Sequence, residues 1–265
     1  MTPEGRHLKT RAGGPVQERV YIPRRQVPVM LIIGHRGARA HEPENTLRAL
    51  RLGMKCADYV EVDVRLSRDG VPVVIHDATV DRTTDGAGTV RDLTLRELKT
   101  LDAGCGAEIP TLREVLDCVR GTCGLFVEIK DANSVEGICR QLGEERLDNV
   151  FVVSFDADTV KRAGDLIPEA KTGLIVSETN PDPVEAALAL GAAAVLPRFD
   201  LAERALVARA HRHHLLVFLW TPNTPDAWER ACAIGADGLA SDDPCAAREY
   251  LQSVRTHHTA SSSFR

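Results

Sequence analysis

Residues 58–77 read DYVEVDVRLSRDGVPVVIHD, and the fold turns on how this stretch doubles back on itself. Its first part, 58–63, has the Val-rich character of a strand. Glu61 and Asp63 lie two residues apart, so their side chains leave the same face. Asp69-Gly70 is a strong signal for a two-residue hairpin turn. Folding there sets Arg68 opposite Val71, and counting outward sets Asp63 opposite His76. The strand is therefore expected to run past the rim of its sheet, turn, and return His76 to the level of Asp63. No helix fits in this space.

Outward from this stretch the chain alternates regularly. Short apolar runs predict strands at about 29–34, 58–63, 124–129, 150–154, 171–176, 193–197, 215–220 and 237–241. Helical spacing follows near 44–56, 111–120, 133–145, 157–166, 182–190, 201–213, 225–234 and 243–253. Strands that are apolar on both faces suit a parallel sheet covered by helices. Eight such units predict an α/β fold, a single (β/α)8 TIM barrel over residues 27–253, with a small insertion after the second strand at 77–110. An open doubly wound sheet competes, but no Gly-x-Gly-x-x-Gly opens the first turn. In the insertion, DATVDRTTDGAG reads as a loop, and TLRELKTL as a short helix capped by Thr94 with Glu97 at capping-box distance. Residues 1–26 read as a flexible arm and 254–265 as a disordered polar tail.

The formal net charge of -5 lends no support to a nucleic-acid partner. No apolar run is long enough to span a bilayer, so stable membrane insertion is not expected. The first 26 residues lack the apolar stretch of a secretory signal. The seven cysteines are odd in number and follow no spacing framework. They read as mostly reduced thiols, which implies a cytoplasmic protein.

In a β/α barrel the chemistry sits at the C-terminal ends of the strands. Two carboxylates on one strand face, Glu61 and Asp63, with Glu128 on the next barrel strand, repel one another unless something positive lies between them. A hard divalent cation, Mg²⁺ or Ca²⁺ with Mn²⁺ as a third choice, fits such oxygen ligands. Rim salt bridges with Arg36, Arg65 or Lys130 are the plainer alternative. His35 and His76 fall at the same barrel end, where imidazoles near neutral pH can act as base and acid. Arg36 and Lys130 offer charge for phosphate oxygens, although Arg36 could instead pair with Glu44. Trp220 either caps a substrate or packs the barrel top. His211, His213 and His214 fall away from strand ends and read as surface.

The motifs HRG (35–37), PENT (43–46), EVDV (61–64), VPVVIHD (71–77), DRTT (81–84), IPTL (109–112), EIK (128–130), SF (154–155), WTPN (220–223) and DGLASDDP (237–244) together resemble the glycerophosphodiester phosphodiesterase family, cytoplasmic bacterial type. The resemblance implies a barrel with a small lid. It also implies metal ligation by Glu61, Asp63 and Glu128, catalytic His35 and His76, and phosphate binding by Arg36 and Lys130. Glu44 is implied near the metal, as a ligand or as a support for the ligands. The implied reaction converts a small-molecule glycerophosphodiester to sn-glycerol 3-phosphate and an alcohol, the attacker being water or the glycerol 2-hydroxyl. The sequence departs from the family in a short lid between LDAG (101–104) and IPTL, in WTPN for WTVN and in SDDP for TDYP. Rival readings are a lysophospholipase D or sphingomyelinase D-like enzyme acting on lipids, and a non-catalytic phosphodiester-binding barrel. The polar short lid speaks against the first, and the intact histidines and carboxylates against the second.

Overall fold

The computed structural model describes residues 30–145, 149–177 and 182–262. The expected arm at 1–26 lies outside the described residues. The strands are β1 (Leu31–Gly34), β2 (Tyr59–Leu66), β3 (Pro72–Val74), β4 (Gly124–Ile129), β5 (Val150–Ser154), β6 (Lys171–Val176), β7 (Ala194–Pro197), β8 (Leu216–Trp220) and β9 (Gly238–Ser241). The helices are α1 (Leu47–Gly53), α2 (Leu95–Leu98), α3 (Leu112–Val119), α4 (Val135–Leu142), α5 (Ala157–Leu166), α6 (Pro183–Ala189), α7 (Arg204–Arg212), α8 (Pro225–Ile234) and α9 (Pro244–Ser262). All strands but β3 are parallel to their neighbours, and β1 pairs with both β2 and β9. That closure makes a (β/α)8 barrel and excludes the open sheet. Helix α9 continues past residue 253, where the sequence placed its end.

The barrel interior is filled rather than hollow. Phe126 stacks on Phe151 at 4.6 Å, and Phe218 meets both edge-on at 5.1 and 5.5 Å. Tyr59 closes the same cluster at 5.3 Å from Phe126. Each such pair contributes about 0.5–1.5 kcal/mol beyond its buried area. With the interior plugged, a site can open only at a barrel end.

The hairpin departs from the expected register by one residue. Val64 pairs with Val74 and Leu66 with Pro72, so Asp63 faces Ile75 and not His76. The Ile75 amide donates to the Asp63 carbonyl at 2.9 Å. The cause lies in the turn, which has three residues. Ser67 Oγ accepts the Val71 amide at 3.0 Å and donates to Asp69 Oδ1 at 2.6 Å. Gly70 takes the left-handed conformation, φ 77°. Such a loop closes with a glycine bulge and moves every later residue by one.

The insertion has a core of its own, with Val80, Val90, Leu98 and Ile109 packed on Val73 and Ile75 of the hairpin. The expected capping box at α2 is present, with Thr94 and Glu97 bonded reciprocally. The cysteines hold one surprise. Cys56 and Cys245, 189 residues apart in sequence, form a disulfide, whereas Cys105, Cys118, Cys123 and Cys139 are thiols. Disulfides are rare in a reducing cytosol, and this pair weighs against the cytoplasmic location expected from the sequence.

Candidate active site

Two neighbouring strands, β2 and β4, supply the carboxylates of the site. The β2–β4 register sets Asp63 beside Glu128, and Glu61 lies two residues earlier on the same face. All three carboxylates are buried, and each offers an oxygen within 4.8 Å of the others. Glu61 Oε1 is buried without a hydrogen-bond partner. Leaving a buried acceptor unmet costs about 1–3 kcal/mol, so such an atom calls for an explanation. A divalent cation among these oxygens supplies one, and the donor set fits hard Mg²⁺ or Ca²⁺.

The electrostatics agree. Burial pushes the Glu61 carboxyl well above its ordinary range, and the Asp63 and Glu128 charges push it further. Burial and the Asp63 charge together raise Glu128 to about 7, against the opposing pull of Lys130. Burial also acts upward on Asp63, but Lys130 and Arg36 outweigh it and hold this carboxyl low. The plainer salt-bridge alternative is thus realised in part. Arg36 Nε lies 3.1 Å from Asp63, and Lys130 Nζ lies 3.4 Å from Asp63 and 2.5 Å from Glu128. Neither cation reaches the orphaned oxygen of Glu61. Arg65 turns away, to Asp131 at 2.6 Å and the His76 carbonyl at 2.9 Å.

The loop after β1 is shaped for this geometry. Arg36 and Gly37 both have positive φ, 51° and 86°. A Cβ at Gly37 would lie 2.4 Å from the Ala49 carbonyl carbon, so only glycine fits there. The turn aims the Arg36 amide at Glu61 Oε2, 2.8 Å away. Asn45, also left-handed at φ 60°, grips Asp63 from both sides. Its Nδ2 donates to Asp63 Oδ2 at 2.8 Å, and its Oδ1 accepts the Asp63 amide at 3.2 Å. Non-glycine residues in this region of backbone space are sparse and gather at functional sites.

Each histidine rests on an aspartate. His35 Nδ1 lies 2.6 Å from Asp242 Oδ1, and its Nε2 lies 3.9 Å from Glu61. Asn223 holds Asp242 by donating to its Oδ2 at 2.8 Å and accepting its amide at 2.9 Å. His76 Nδ1 lies 2.6 Å from Asp77 Oδ1. In both cases the pattern assigns the Nδ1 proton toward the carboxylate and leaves Nε2 for other work. Burial lowers the His76 pKa, and the Asp63 charge opposes that only in part.

Glu44 stands outside the carboxylate cluster. Its oxygens accept from Arg36 at 2.8 Å and from Arg82 at 2.7 and 3.2 Å, which makes it a bracket for arginines. Trp220 donates its indole N–H to the Leu196 carbonyl at 2.9 Å and meets Phe155 edge-on at 5.4 Å. Phe155 is 45% exposed, with Lys130 Nζ 5.8 Å from its ring centre. His211, His213 and His214 are exposed, as expected. Sequence reading gave no role to Asn45, Asp77, Asp242 and Asn223. The strand-end rule reaches Asp77, beside His76, and Asp242, after the last barrel strand, but it does not say which side chain each one meets.

Residues 35–246 match the glycerophosphoryl diester phosphodiesterase family. A glycerophosphodiester phosphodiesterase of Caldanaerobacter subterraneus is 34% identical over 230 residues, covering 81% of this chain and 94% of the relative. One from Bacillus subtilis is 28% identical and covers 81% and 84%. Among solved structures, an Oleispira antarctica phosphodiesterase in complex with the product sn-glycerol-3-phosphate superposes with a TM-score of 0.78 at 29% identity, covering 84% of this chain and 96% of that one. On these matches and this geometry, the chain belongs to the glycerophosphoryl diester phosphodiesterase family and is a phosphodiesterase of that class.

Proposed function

We propose that the protein hydrolyses glycerophosphodiesters to sn-glycerol 3-phosphate and an alcohol, with a divalent cation at Glu61, Asp63 and Glu128 and with His35 and His76 as base and acid. The observation that carries this reading is the buried triad itself, with its orphaned Glu61 oxygen, flanked by two histidines that each rest on an aspartate. The bound cation would polarise the phosphate and neutralise charge that develops on it.

The chain's own groups do the rest. Lys130 and Arg36 sit against the triad and give phosphate oxygens a point charge and a fork. His35, beside Glu61, takes through Nε2 the proton of the attacking water, or of the glycerol 2-hydroxyl where a cyclic phosphate forms first and water then opens it, and Asp242 steadies the imidazolium that results. His76 lies on the insertion side. A groove of about 510 Å³ runs there, along Glu44, Arg82, Thr83 and Gly104, and His76 lines the small pocket that shares Glu44 and Thr83 with it. With the alcohol half placed on this side, toward the groove, His76 would be the acid that protonates the leaving oxygen. Phe155 and Trp220 form the opposite, apolar wall. The catalytic unit is the single barrel, with residues 77–110 as its lid.

The test is product release from glycerophosphocholine, glycerophosphoethanolamine and a lysolipid, each with Mg²⁺, Mn²⁺, Ca²⁺ or chelator. Release from the two glycerophosphodiesters that chelation abolishes and a divalent cation restores is expected. Full turnover in excess chelator, after bound metal is stripped, would sink the metal assignment. Preference for the lysolipid would move the substrate to the lipid class.

A further inference from the structure

Arg82 lies in the insertion, outside the triad and the histidines, yet it holds more of the site than any other side chain of that segment. Its Nε donates to Asp77 Oδ2 at 2.7 Å and its Nη2 to Asp77 Oδ1 at 3.0 Å. The same guanidinium reaches Glu44, with Nη2 to Oε1 at 2.7 Å and Nη1 to Oε2 at 3.2 Å. Four of its five N–H donors are thereby engaged, which leaves no fork for a substrate phosphate.

Both acceptors lead into the site. Asp77 Oδ1 is also the atom that meets His76 Nδ1 at 2.6 Å. Glu44 Oε1 also meets Arg36 Nη1 at 2.8 Å, and Arg36 in turn lies on Asp63. Arg82 itself stands on a firm base. Thr84 donates through both its amide and its hydroxyl to the Val80 carbonyl, at 3.0 and 2.8 Å, and Val80 is buried in the insertion core. Asp77 is only partly buried, so without the fork its carboxylate can rotate and hydrate. The hydrogen bond from Arg82 is the largest of the effects that hold Asp77 far below the ordinary carboxylate range. An isolated exposed ion pair contributes about 0–1 kcal/mol, but a bidentate pair within a network fixes geometry as well as charge.

We propose that Arg82 is a positioning residue that acts through Asp77 on His76, so that the inserted segment governs the protonation of the leaving group. The proposal rests on the reading of His76 as the acid. The Glu44 branch is secondary, because Arg36 keeps its contact with Asp63 when Arg82 is removed.

The experiment compares the wild type, Arg82→Met, Arg82→Lys, His76→Ala and the Arg82→Met/His76→Ala double variant at saturating metal. The substrates are glycerophosphocholine and a glycerol diester of nitrophenol, whose leaving group needs no acid. On glycerophosphocholine, Arg82→Met is expected to lower kcat by about 10–100-fold, the usual cost of losing a group that orients a working side chain. The loss should vanish on the nitrophenyl diester and in the His76→Ala background. Arg82→Lys should recover only part of it, because a point charge cannot hold both carboxylates in the fork geometry. This variant carries the same comparison should the Met variant melt below assay temperature. An equal loss on both substrates or in the His76→Ala background overturns the proposal, as does a loss carried by KM alone. Wild-type turnover by His76→Ala would remove His76 from the mechanism and the proposal with it. That result is distinct from a His76→Ala defect to which Arg82→Met simply adds.

Discussion

The buried triad makes metal binding depend on pH, and the sign and size follow from Glu128. Burial and the Asp63 charge raise this carboxyl from 4.5 to about 7, so in the metal-free protein it holds its proton through the mildly acidic range. Glu61 is displaced in the same direction. A cation must expel that proton to bind. From Glu128 alone, affinity should therefore fall by about 50-fold between pH 7 and 5, about 2.3 kcal/mol, and the proton on Glu61 adds to that fall. It should level off above neutrality. The same shift acts on the metal-free fold. Between 4.5 and 7 the folded state keeps a proton that the unfolded chain has lost, so stability is full below 4.5 and declines as pH rises through 7. With 2.5 pH units between the two values, the loss is at most about 3 kcal/mol. That corresponds to a Tm change on the order of 5–10 °C, and the increment gained on adding metal should grow across the same range. Calorimetric titration with Mg²⁺, Mn²⁺ and Ca²⁺ at pH 5.5, 6.5, 7.5 and 8.5, in two buffers of different ionisation enthalpy, reads both affinity and protons released. Equal Kd at pH 5.5 and 7.5 with no proton release would refute the reasoning.

Five substitutions extend the test. Glu61→Gln and Asp63→Asn keep shape but remove ligand charge. Metal affinity should drop by more than the about 10–100-fold that losing an outer partner costs, and unchanged titrations in both would dispose of the site. Lys130→Met should lower kcat/KM about 10–150-fold for every diester alike, since the lost charge-assisted bond is to the common phosphate; a defect confined to one head group places Lys130 against the alcohol instead. His35→Ala and His76→Ala should each cost about 10²–10⁴ in rate on glycerophosphocholine. Only the His76 variant should recover on the nitrophenyl diester, and recovery by the His35 variant instead would exchange the two roles.

The barrel was legible because its signals are local. Apolar runs such as Leu125–Val127 and Val150–Val153 carry their own period, and the cap of α2 is read from Thr94 and Glu97 alone. Glu61, Asp63 and Glu128 were legible for a related reason, since a period of two and the order of strands suffice to bring them to one face. The hairpin register was missed by one residue, because Asp69-Gly70 was read without Ser67, whose hydroxyl bonds to Val71 and lengthens the turn. What stayed hidden depends on closure of the ring. Asp242 meets His35 across 207 residues, and Cys56 meets Cys245 across 189. No local pattern encodes such meetings. They exist because β9 pairs with β1 and brings the last loop beside the first.

The charges at the mouth also explain why a phosphodiesterase on an acidic chain can admit an anion. Six carboxylates are joined there by direct contacts: Glu44, Glu61, Asp63, Asp77, Glu128 and Asp242. Four cations answer them: Arg36, Arg39, Arg82 and Lys130. Counted against these four cations, the carboxylates leave the mouth an excess of two negative charges, and two of them, Glu61 and Glu128, are the ones displaced toward the protonated form. Two protons or one divalent cation cancel the same excess. Protons would leave the mouth neutral but supply no electrophile, whereas a cation held by Glu61, Asp63 and Glu128 would leave it neutral and supply one for a phosphate. Local neutrality would then follow from the carboxylates that could hold the ion. It requires no basic surface, and a formal net charge of -5 for the chain is no obstacle to an anionic substrate.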